Sequence, residues 1–157
     1  MIEPARPEDA PAIMQIANEA GVFSPNEISS VSEMLDAFFD PTPNDDHTFI
    51  VYRDRAQLVR GFVCYGPTPF TDRVWELYWI CVDRKLQRSG VGREMVQRLS
   101  DDLQRCAARA IYLETSNSEA YQAARAFYER EGFECIAQLG DFYAAGEGKL
   151  IYRKIFF

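Results

Sequence analysis

The spacing of apolar residues in the first part of the chain predicts a short strand and two helices. Residues 2–6 have the composition of a strand, and residues 8–20 carry apolar side chains at helical spacing. A second helix is expected over residues 26–39 for the same reason. The proline- and aspartate-rich residues 41–46 are expected to break the chain after this helix.

Three apolar segments follow, and the short turns between them predict an antiparallel meander. The expected strands cover residues 48–53, 59–65 and 74–82, with turns at residues 54–57 and 66–69. A further strand is expected at residues 110–114. Because a helix separates this strand from the third strand of the meander, the two are expected to pair in parallel.

Helical spacing returns twice in the second half of the chain, over residues 93–106 and 118–131. The first of these helices is expected to turn the following side chains inward: Val96, Leu99, Leu103 and Cys106. Residues 133–139 and 149–156 are expected to close the sheet as a hairpin around residues 144–148. The alternation of strands and helices, without repeats or a linker, predicts one α/β domain over residues 1–157.

Charge and composition narrow the classes of function. The net charge of −7 argues against nonspecific binding to nucleic acid, which needs lysine and arginine, and favours a cationic partner weakly. The N-terminus lacks a basic segment followed by an apolar one, and no stretch is long enough to cross a membrane. The expected location is therefore the cytoplasm, with no membrane partner.

The cysteines and the histidine do not predict a metal site. Cys64, Cys81, Cys106 and Cys135 are widely spaced, and His47 is the only histidine. Free thiols in apolar segments are commonly buried, so a core role is expected for most of them. Cys81 is the one that lies close to the candidate chemistry described next.

A run of small residues follows the third strand of the meander and opens the next helix. It reads Gln87-Arg88-Ser89-Gly90-Val91-Gly92-Arg93. Small side chains at Ser89, Gly90 and Gly92 let backbone N–H groups converge on an anion, and the positive end of the following helix adds to the attraction. This arrangement is typical of a site that binds a pyrophosphate group.

Two common phosphate-binding motifs fit this run less well. A Walker loop is excluded because Arg93-Glu94-Met95 stands where Gly-Lys-Ser/Thr would follow. A dinucleotide-binding fingerprint needs a third glycine at the position of Met95 and its first glycine directly after the strand. Glu114 lies about where that fingerprint has its ribose-binding acid, so this alternative stays open.

The same run closely resembles the acetyl-CoA-binding motif of the GNAT N-acetyltransferase superfamily, which reads Gln/Arg-x-x-Gly-x-Gly/Ala between a strand and a helix. Downstream, Ala124-Arg125-Ala126-Phe127-Tyr128-Glu129-Arg130-Glu131-Gly132-Phe133 resembles the family's Ala-x-x-Phe-Tyr-x-x-x-Gly-Phe segment. The opening Pro4-Ala5-Arg6-Pro7-Glu8-Asp9 is also similar, so the likeness spans nearly the whole chain. Two positions depart from the common pattern: Arg84 replaces a frequent proline, and Tyr121 a frequent asparagine.

The resemblance implies a mixed sheet, in which an antiparallel meander is joined to a splayed central pair of parallel strands flanked by helices. Acetyl-CoA would bind between the parallel strands as a cosubstrate. In this family the strand before the loop often bulges, which exposes backbone groups to the pantetheine and the thioester carbonyl. Without a bulge, alternation would put Glu76, Tyr78, Ile80 and Val82 on one face, and Leu77, Trp79 and Cys81 on the other.

The resemblance also implies a set of cofactor contacts in the strand, the loop and the downstream helix. These residues are Ile80, Cys81, Val82, Gln87, Arg88, Ser89, Gly90, Val91, Gly92, Arg93, Asn117 and Tyr121. For Asn117 the favoured alternative is that it caps the next helix together with Ser118.

Two residues are candidates for proton transfer. Glu76 lies eleven residues before Gln87, the same offset as the general-base glutamate in the histone-acetylating branch of the superfamily. Its alternative role is a solvent-facing glutamate or an ion pair with Arg73. Tyr128 matches the family's usual general acid, which protonates the departing thiolate, and its alternative role is packing.

These features together predict an acetyl-CoA-dependent N-acetyltransferase. The acceptor would be a small-molecule or peptide amine that attacks the thioester directly in a ternary complex. The alternative function is a catalytically silent acyl-CoA-binding sensor or regulatory domain. The oligomeric state is left open between a monomer and a homodimer.

Overall fold

The structure is a computed structural model that describes residues 1–42 and 47–156. Strands and helices alternate along the chain as the sequence predicts. The strands are β1 (Ile2–Pro4), β2 (Thr48–Arg53), β3 (Val59–Pro67), β4 (Val74–Val82), β5 (Ala110–Ser116), β6 (Glu134–Ala144) and β7 (Glu147–Ile155). The helices are α1 (Ala10–Glu19), α2 (Pro25–Phe39), α3 (Val91–Arg105) and α4 (Gln122–Arg130). Part of the predicted break, residues 43–46, lies outside the described residues.

The strands of the described chain form a seven-stranded sheet in the order β1-β2-β3-β4-β5-β7-β6. Neighbouring strands are antiparallel except for β4 and β5, which are parallel as predicted. This mixed sheet confirms the expected fold class. It also shows that the dinucleotide-binding alternative is wrong, because the sheet of that fold consists mostly of parallel strands.

The parallel pair is joined over a short distance only. Val74 to Glu76 of β4 pair with Ala110 to Tyr112 of β5, and beyond these residues the two strands share no ladder. From Leu77 onward, β4 therefore has β3 on one side and no strand on the other. This separation is the splay that the resemblance implies.

A β-bulge in β4 changes which side chains share a face. Cys64 of β3 pairs with Trp79, but the next residue, Tyr65, pairs with Leu77, so Tyr78 is the extra residue of the bulge. Leu77 therefore shares the α3 side of the sheet with Ile80 and Val82. The side chains of Tyr78, Trp79 and Cys81 lie instead among α1 and α2. Ile80 and Val82 lie on the face opposite to Trp79 and Cys81, as expected, but relative to them Leu77 and Tyr78 have changed sides, so the expected bulge is confirmed.

Helix boundaries follow local capping chemistry. Helix α2 begins at Pro25 because Ser24 and Glu27 form a reciprocal capping box: the Ser24 hydroxyl accepts from the Glu27 N–H at 3.2 Å, and Glu27 accepts from the Ser24 N–H at 3.1 Å. Helix α3 ends at Arg105, so Cys106 is exposed and the prediction that it faces inward is wrong. The reason is Ala107, whose φ of 54° turns the chain out of the helix.

The core has two parts, one on each side of the sheet. Met95, Leu99 and Leu103 of α3 pack against one face, and α1 and α2 cover the meander on the other. Within the described residues, no helix is long and apolar enough to cross a membrane.

The C-terminal hairpin is longer than predicted. Strand β6 continues to Ala144 and β7 starts at Glu147, so the connection is tighter than the expected loop over residues 144–148. The register jumps between Leu139 and Ala144, so residues 140–143 bulge out of the ladder.

Candidate active site

The loop that joins β4 to α3 leaves backbone donors free at the start of the helix. Gly90 adopts a left-handed conformation with a φ of 91° and starts α3 without a side-chain cap. Among the described residues, the N–H groups of Val91, Gly92 and Arg93 have no protein acceptor. Free N–H groups and the positive end of a helix dipole together form an anion site. The helix starts two residues before the predicted Arg93, which places these donors within the motif.

The other loop residues are exposed. Gln87, Arg88 and Arg93 extend towards solvent, and among the described residues neither arginine forms an ion pair. The Ser89 hydroxyl donates to the carbonyl of Leu86 and tightens the turn. Two exposed cationic side chains thus lie in the same short segment as the free N–H groups, where they can add to the attraction for a phosphate.

Asp83 fixes the start of this loop by hydrogen bonds, a role that was not predicted from the sequence. Its N–H donates to the Arg60 carbonyl at 2.7 Å, and its Oδ1 accepts from the Lys85 N–H at 2.9 Å. Its Oδ2 accepts from Arg60 Nη1 at 3.0 Å. The two bonds to its carboxylate, first of all the one from Lys85, lower the pKa of Asp83. The signal available in the sequence is an aspartate directly after a strand, because an aspartate there commonly accepts from the backbone N–H two residues on and starts an Asx turn.

The splay leaves one edge of β4 open next to the loop. Ile80, Cys81 and Val82 pair with β3 on one side and have no strand on the other. Open N–H and C=O groups on such an edge can bond the amides of an extended ligand. The Cys81 thiol itself is buried, and burial raises its pKa to about 12, so it stays protonated at neutral pH.

Tyr128 lies on α4 within a cluster of aromatic rings. Its ring centroid is 5.8 Å from that of Phe127, 5.9 Å from Phe133 and 6.0 Å from Tyr152. Among the described residues its hydroxyl has no hydrogen-bond partner. Burial, with a smaller contribution from Cys81, raises the pKa of Tyr128 above its usual range. The side chain is therefore a protonated donor held in place by packing, with its hydroxyl free to contact a ligand.

Glu76 lies in the interior of the sheet, between Gly66 of β3 and Tyr112 of β5. Its expected alternative partner, Arg73, pairs with Asp72 at 3.0 Å instead, so the ion pair with Glu76 is wrong. Burial raises the pKa of Glu76, and Glu114 raises it further by repulsion, while Lys149 opposes both effects.

The aromatic residues near Glu76 serve mainly to pack the helices. Trp79 donates from Nε1 to the sulfur of Met34 at 3.2 Å, and its ring packs edge to face with that of Phe23, with centroids 5.4 Å apart. Trp75 stacks at an angle on Tyr65, with centroids 6.0 Å apart, on the α3 side of the sheet.

Asn117 and Tyr121 use their side chains to join elements of the protein. Asn117 Oδ1 accepts from the Gly148 N–H at 2.8 Å, and Ser118 makes no side-chain cap, so the expected capping of the next helix is wrong. The physical reason is that β5 ends beside Gly148, so the Gly148 N–H donates to the side-chain oxygen of Asn117 that would otherwise cap the helix. The Tyr121 hydroxyl donates to the Val22 carbonyl at 3.0 Å and ties the start of α4 to the connection between α1 and α2.

Arg125 closes the turn that Asn117 was expected to cap. Its Nη1 donates to the carbonyls of Ser116 and Ser118 at 2.8 and 2.7 Å. This arginine lies within the motif at residues 124–133, but its role was not predicted from the sequence. It positions α4, and with it Tyr128, against the end of β5.

The comparison with known families settles what kind of protein contains this arrangement. The family model described as an acetyltransferase (GNAT) domain matches residues 44–135 of the 157. The chain belongs to the GNAT family.

Relatives of this GNAT protein agree with the assignment. The crystal structure of a GNAT-family protein from Desulfovibrio desulfuricans is 33% identical, with 99% of this chain and 98% of that chain covered at a TM-score of 0.91. The [ribosomal protein bS18]-alanine N-acetyltransferase of Escherichia coli (strain K12) is 34% identical over 73 residues, which cover 46% of this chain and 48% of the relative. The match thus spans about half the length of this curated relative.

An aminoglycoside 6'-N-acetyltransferase complexed with coenzyme A shares the fold, at 15% identity and a TM-score of 0.76, with 99% of this chain and 96% of that chain covered. At this identity the likeness concerns the fold alone.

The GNAT protein makes the turn after β4 without the proline that is frequent in the family. Arg84 occupies that position, at the start of a short 3-10 helix, Arg84–Leu86. The bond from the Lys85 N–H to Asp83 closes the turn instead. The departure at Arg84 therefore changes how the turn is fixed and leaves the free N–H groups of α3 in place.

A test of the anion site follows from the packing at Gly92. A Cβ atom at this position would lie 3.2 Å from the ring of Phe127 and 3.7 Å from Val82. We expect Gly92→Val to push α3 away from α4, to distort the free N–H groups and to weaken acetyl-CoA binding by about tenfold or more, because a lost charge-assisted hydrogen bond to the pyrophosphate is worth roughly 1.5–3 kcal/mol. Calorimetry of the folded variant measures the affinity.

Gly140→Val is the matched control, because a Cβ at Gly140 meets no atom within 4 Å and the residue lies on β6, outside the loop. Its affinity should equal that of the parent. Unchanged affinity in a folded Gly92→Val protein would contradict the placement of the pyrophosphate at α3.

Proposed function

We propose that this GNAT protein transfers an acetyl group from acetyl-CoA to a primary amine by direct attack in a ternary complex. The observation that carries the proposal is the open edge of β4, which begins at Leu77, directly after Glu76, and leads to the free N–H groups at the start of α3. The N–H groups would hold the pyrophosphate, and Ile80 to Val82 the pantetheine. The thioester would then lie between Glu76 and Tyr128.

Glu76 would act as the general base. An amine with a pKa near 10 is protonated in all but about one molecule in a thousand at pH 7, so its proton must be removed before or during attack. A carboxylate with a raised pKa suits this task near neutral pH. The burial of Glu76 and the repulsion from Glu114 provide this shift.

Tyr128 would act as the general acid. As the new carbon–nitrogen bond forms, the carbon–sulfur bond breaks and releases a thiolate whose conjugate acid has a pKa near 8.5. The Tyr128 hydroxyl is protonated and free of partners among the described residues, so it can donate its proton to that sulfur. The proton held by Glu76 leaves to solvent, and Tyr128 is reprotonated from water.

Direct attack is favoured over a covalent acetyl-enzyme. The route through an enzyme thioester needs a thiolate near the acetyl group. Cys81 is the described cysteine that interacts electrostatically with Tyr128, and burial raises its pKa to about 12. A thiol that remains protonated at neutral pH is a poor nucleophile, so the amine itself is the attacking group.

The acceptor is expected to be a small-molecule or peptide amine. The curated relatives are named for the alanine of a ribosomal protein, and solved structures of the same fold for aminoglycosides. Both acceptors are amines. The net charge of −7 adds a weak long-range attraction for cationic acceptors of either kind.

A thiol-release assay across amine classes tests the proposal. Purified protein and acetyl-CoA are incubated with polyamines, aminoglycosides, free amino acids and peptides that begin with alanine, and mass spectrometry identifies the acetylated product. Propionyl-CoA in parallel reveals the acyl preference. Acetyl-CoA binding by calorimetry, with no acceptor acetylated, would instead favour the silent sensor domain.

A further inference from the structure

Lys149 of β7 is held in place from two sides beside the candidate base. Its Nζ lies 2.7 Å from Glu114 Oε2, and 4.1 Å from the centroid of the Phe142 ring. Only 12% of its side chain is exposed. A lysine normally keeps its ammonium in water, so the burial of this one calls for a compensating role.

The bulge in β6 supplies the aromatic half of this arrangement. Leu139 pairs with Lys149, but the next paired residue of β6 is Ala144, so residues 140–143 leave the ladder. Asp141 takes a φ of 53° within the bulge. The bulge brings Phe142 over the Lys149 ammonium, which is a cation–π contact.

The ion pair lies on the same face of the sheet as Glu76. Glu76 pairs with Tyr112 across β4 and β5, and Glu114 is two residues further along β5, which returns to the same face. The charged groups that act on Glu76 are Glu114 from β5 and Lys149 from β7. Tyr143 of the β6 bulge lies within the field of Glu114, Glu27 and Glu147.

We propose that Lys149 is a positioning residue for the acceptor side of the site: its ammonium offsets part of the charge of Glu114, so that Glu76 is free to receive the proton of the acceptor amine near neutral pH. The inference rests on the proposed function of Glu76. Without Lys149, the charge of Glu114 would be uncompensated, and Glu76 would hold its proton to higher pH. The enzyme would then need a more alkaline solution to reach the same fraction of active base.

The first test compares pH profiles of kcat/KM with one acceptor, so that the titration of the acceptor cancels between variants. The acidic limb of the profile is the pH range in which kcat/KM falls because Glu76 becomes protonated. We expect Lys149→Met to shift this limb to a pH that is higher by about 0.5 to 1 unit. Lys149→Arg keeps the positive charge, so its acidic limb should lie at the same pH as that of the parent. The double variant Lys149→Met/Glu114→Gln, which removes both charges, should return the limb towards the parent.

Lys154→Met is the matched control on the same strand. The ammonium of Lys154 donates to the Glu131 carbonyl at 2.9 Å, near the end of α4, so its loss should not move the limb. A packing role for Lys149 would lower activity equally at every pH. An unmoved limb in Lys149→Met would overturn the inference.

A second readout does not depend on turnover. In protein labelled with ¹³C at glutamate side-chain carboxyls, the Glu76 signal is assigned by its loss in Glu76→Gln and titrated in the parent and in Lys149→Met. A higher midpoint in Lys149→Met supports the inference, and an equal midpoint overturns it. If the midpoint rises while the parent acetylates no amine, the electrostatic inference holds and the proposed function fails.

Discussion

Replacing Glu76 with glutamine is expected to lower turnover at pH 7 by roughly 100- to 10,000-fold. Glutamine keeps the size of the side chain and its place between Gly66 and Tyr112 but accepts no proton. Part of the loss should be recovered at high pH, where more of the acceptor amine is already neutral. Because burial and Glu114 raise the pKa of Glu76, the acidic limb of the parent should lie above the ordinary range of a glutamate, and it should disappear in the variant.

The measurement is kcat/KM over pH, together with acetyl-CoA affinity by calorimetry, which should hardly change. Glu119→Gln makes the same chemical change at an exposed residue in the turn before α4 and serves as the control. A loss of turnover in Glu76→Gln that is equal at every pH, or absent, would contradict the general-base role.

The sequence predicts the strands of the meander well, since turn-forming residues stand at their ends. The bounds of β2 and β4 are as predicted. The start of α3 is harder to predict, because the glycines suggest a loop as far as Gly92. In the structure the left-handed Gly90 ends the loop, and Gly92 is already helical and faces the ring of Phe127. That contact lies between two helices and is invisible to local spacing.

Hydrophobic spacing also fails where a suitable residue type continues a pattern past its end. Cys106 fits the apolar stripe of α3, yet the helix stops at Arg105, one residue earlier. Similarly, the amide of Asn117 fits a helix cap but bonds to Gly148, 31 residues away along the chain. Long-range pairing between strands decides such cases, and a single sequence does not reveal it.

The candidate site shows the same division. The loop of α3 and the position of Tyr128 follow from local motifs, so the sequence predicts them. The contacts that support the site do not follow from local motifs. Arg60 binds Asp83 from a neighbouring strand, and Lys149 of β7 binds Glu114 of β5. These residues lie far apart in the sequence and carry no motif, so only the folded chain brings them together.

Replacing Tyr128 with phenylalanine is expected to slow the chemical step by roughly 100- to 10,000-fold, provided that protonation of the thiolate limits the rate. Phenylalanine keeps the ring among Phe127, Phe133 and Tyr152, and the lost hydroxyl has no partner among the described residues. The melting temperature should therefore barely change, and acetyl-CoA affinity should be close to that of the parent.

The matched control is Tyr152→Phe, which removes a hydroxyl from the neighbouring ring of the same cluster. That hydroxyl donates to Glu129 at 3.3 Å, so its loss should alter stability slightly and leave the chemical step unchanged. Single-turnover measurements are needed in both variants, because slow product release would hide a change in chemistry. A Tyr128→Phe protein whose chemical step equals that of the parent would make Tyr128 a packing residue, and water would then protonate the departing thiolate.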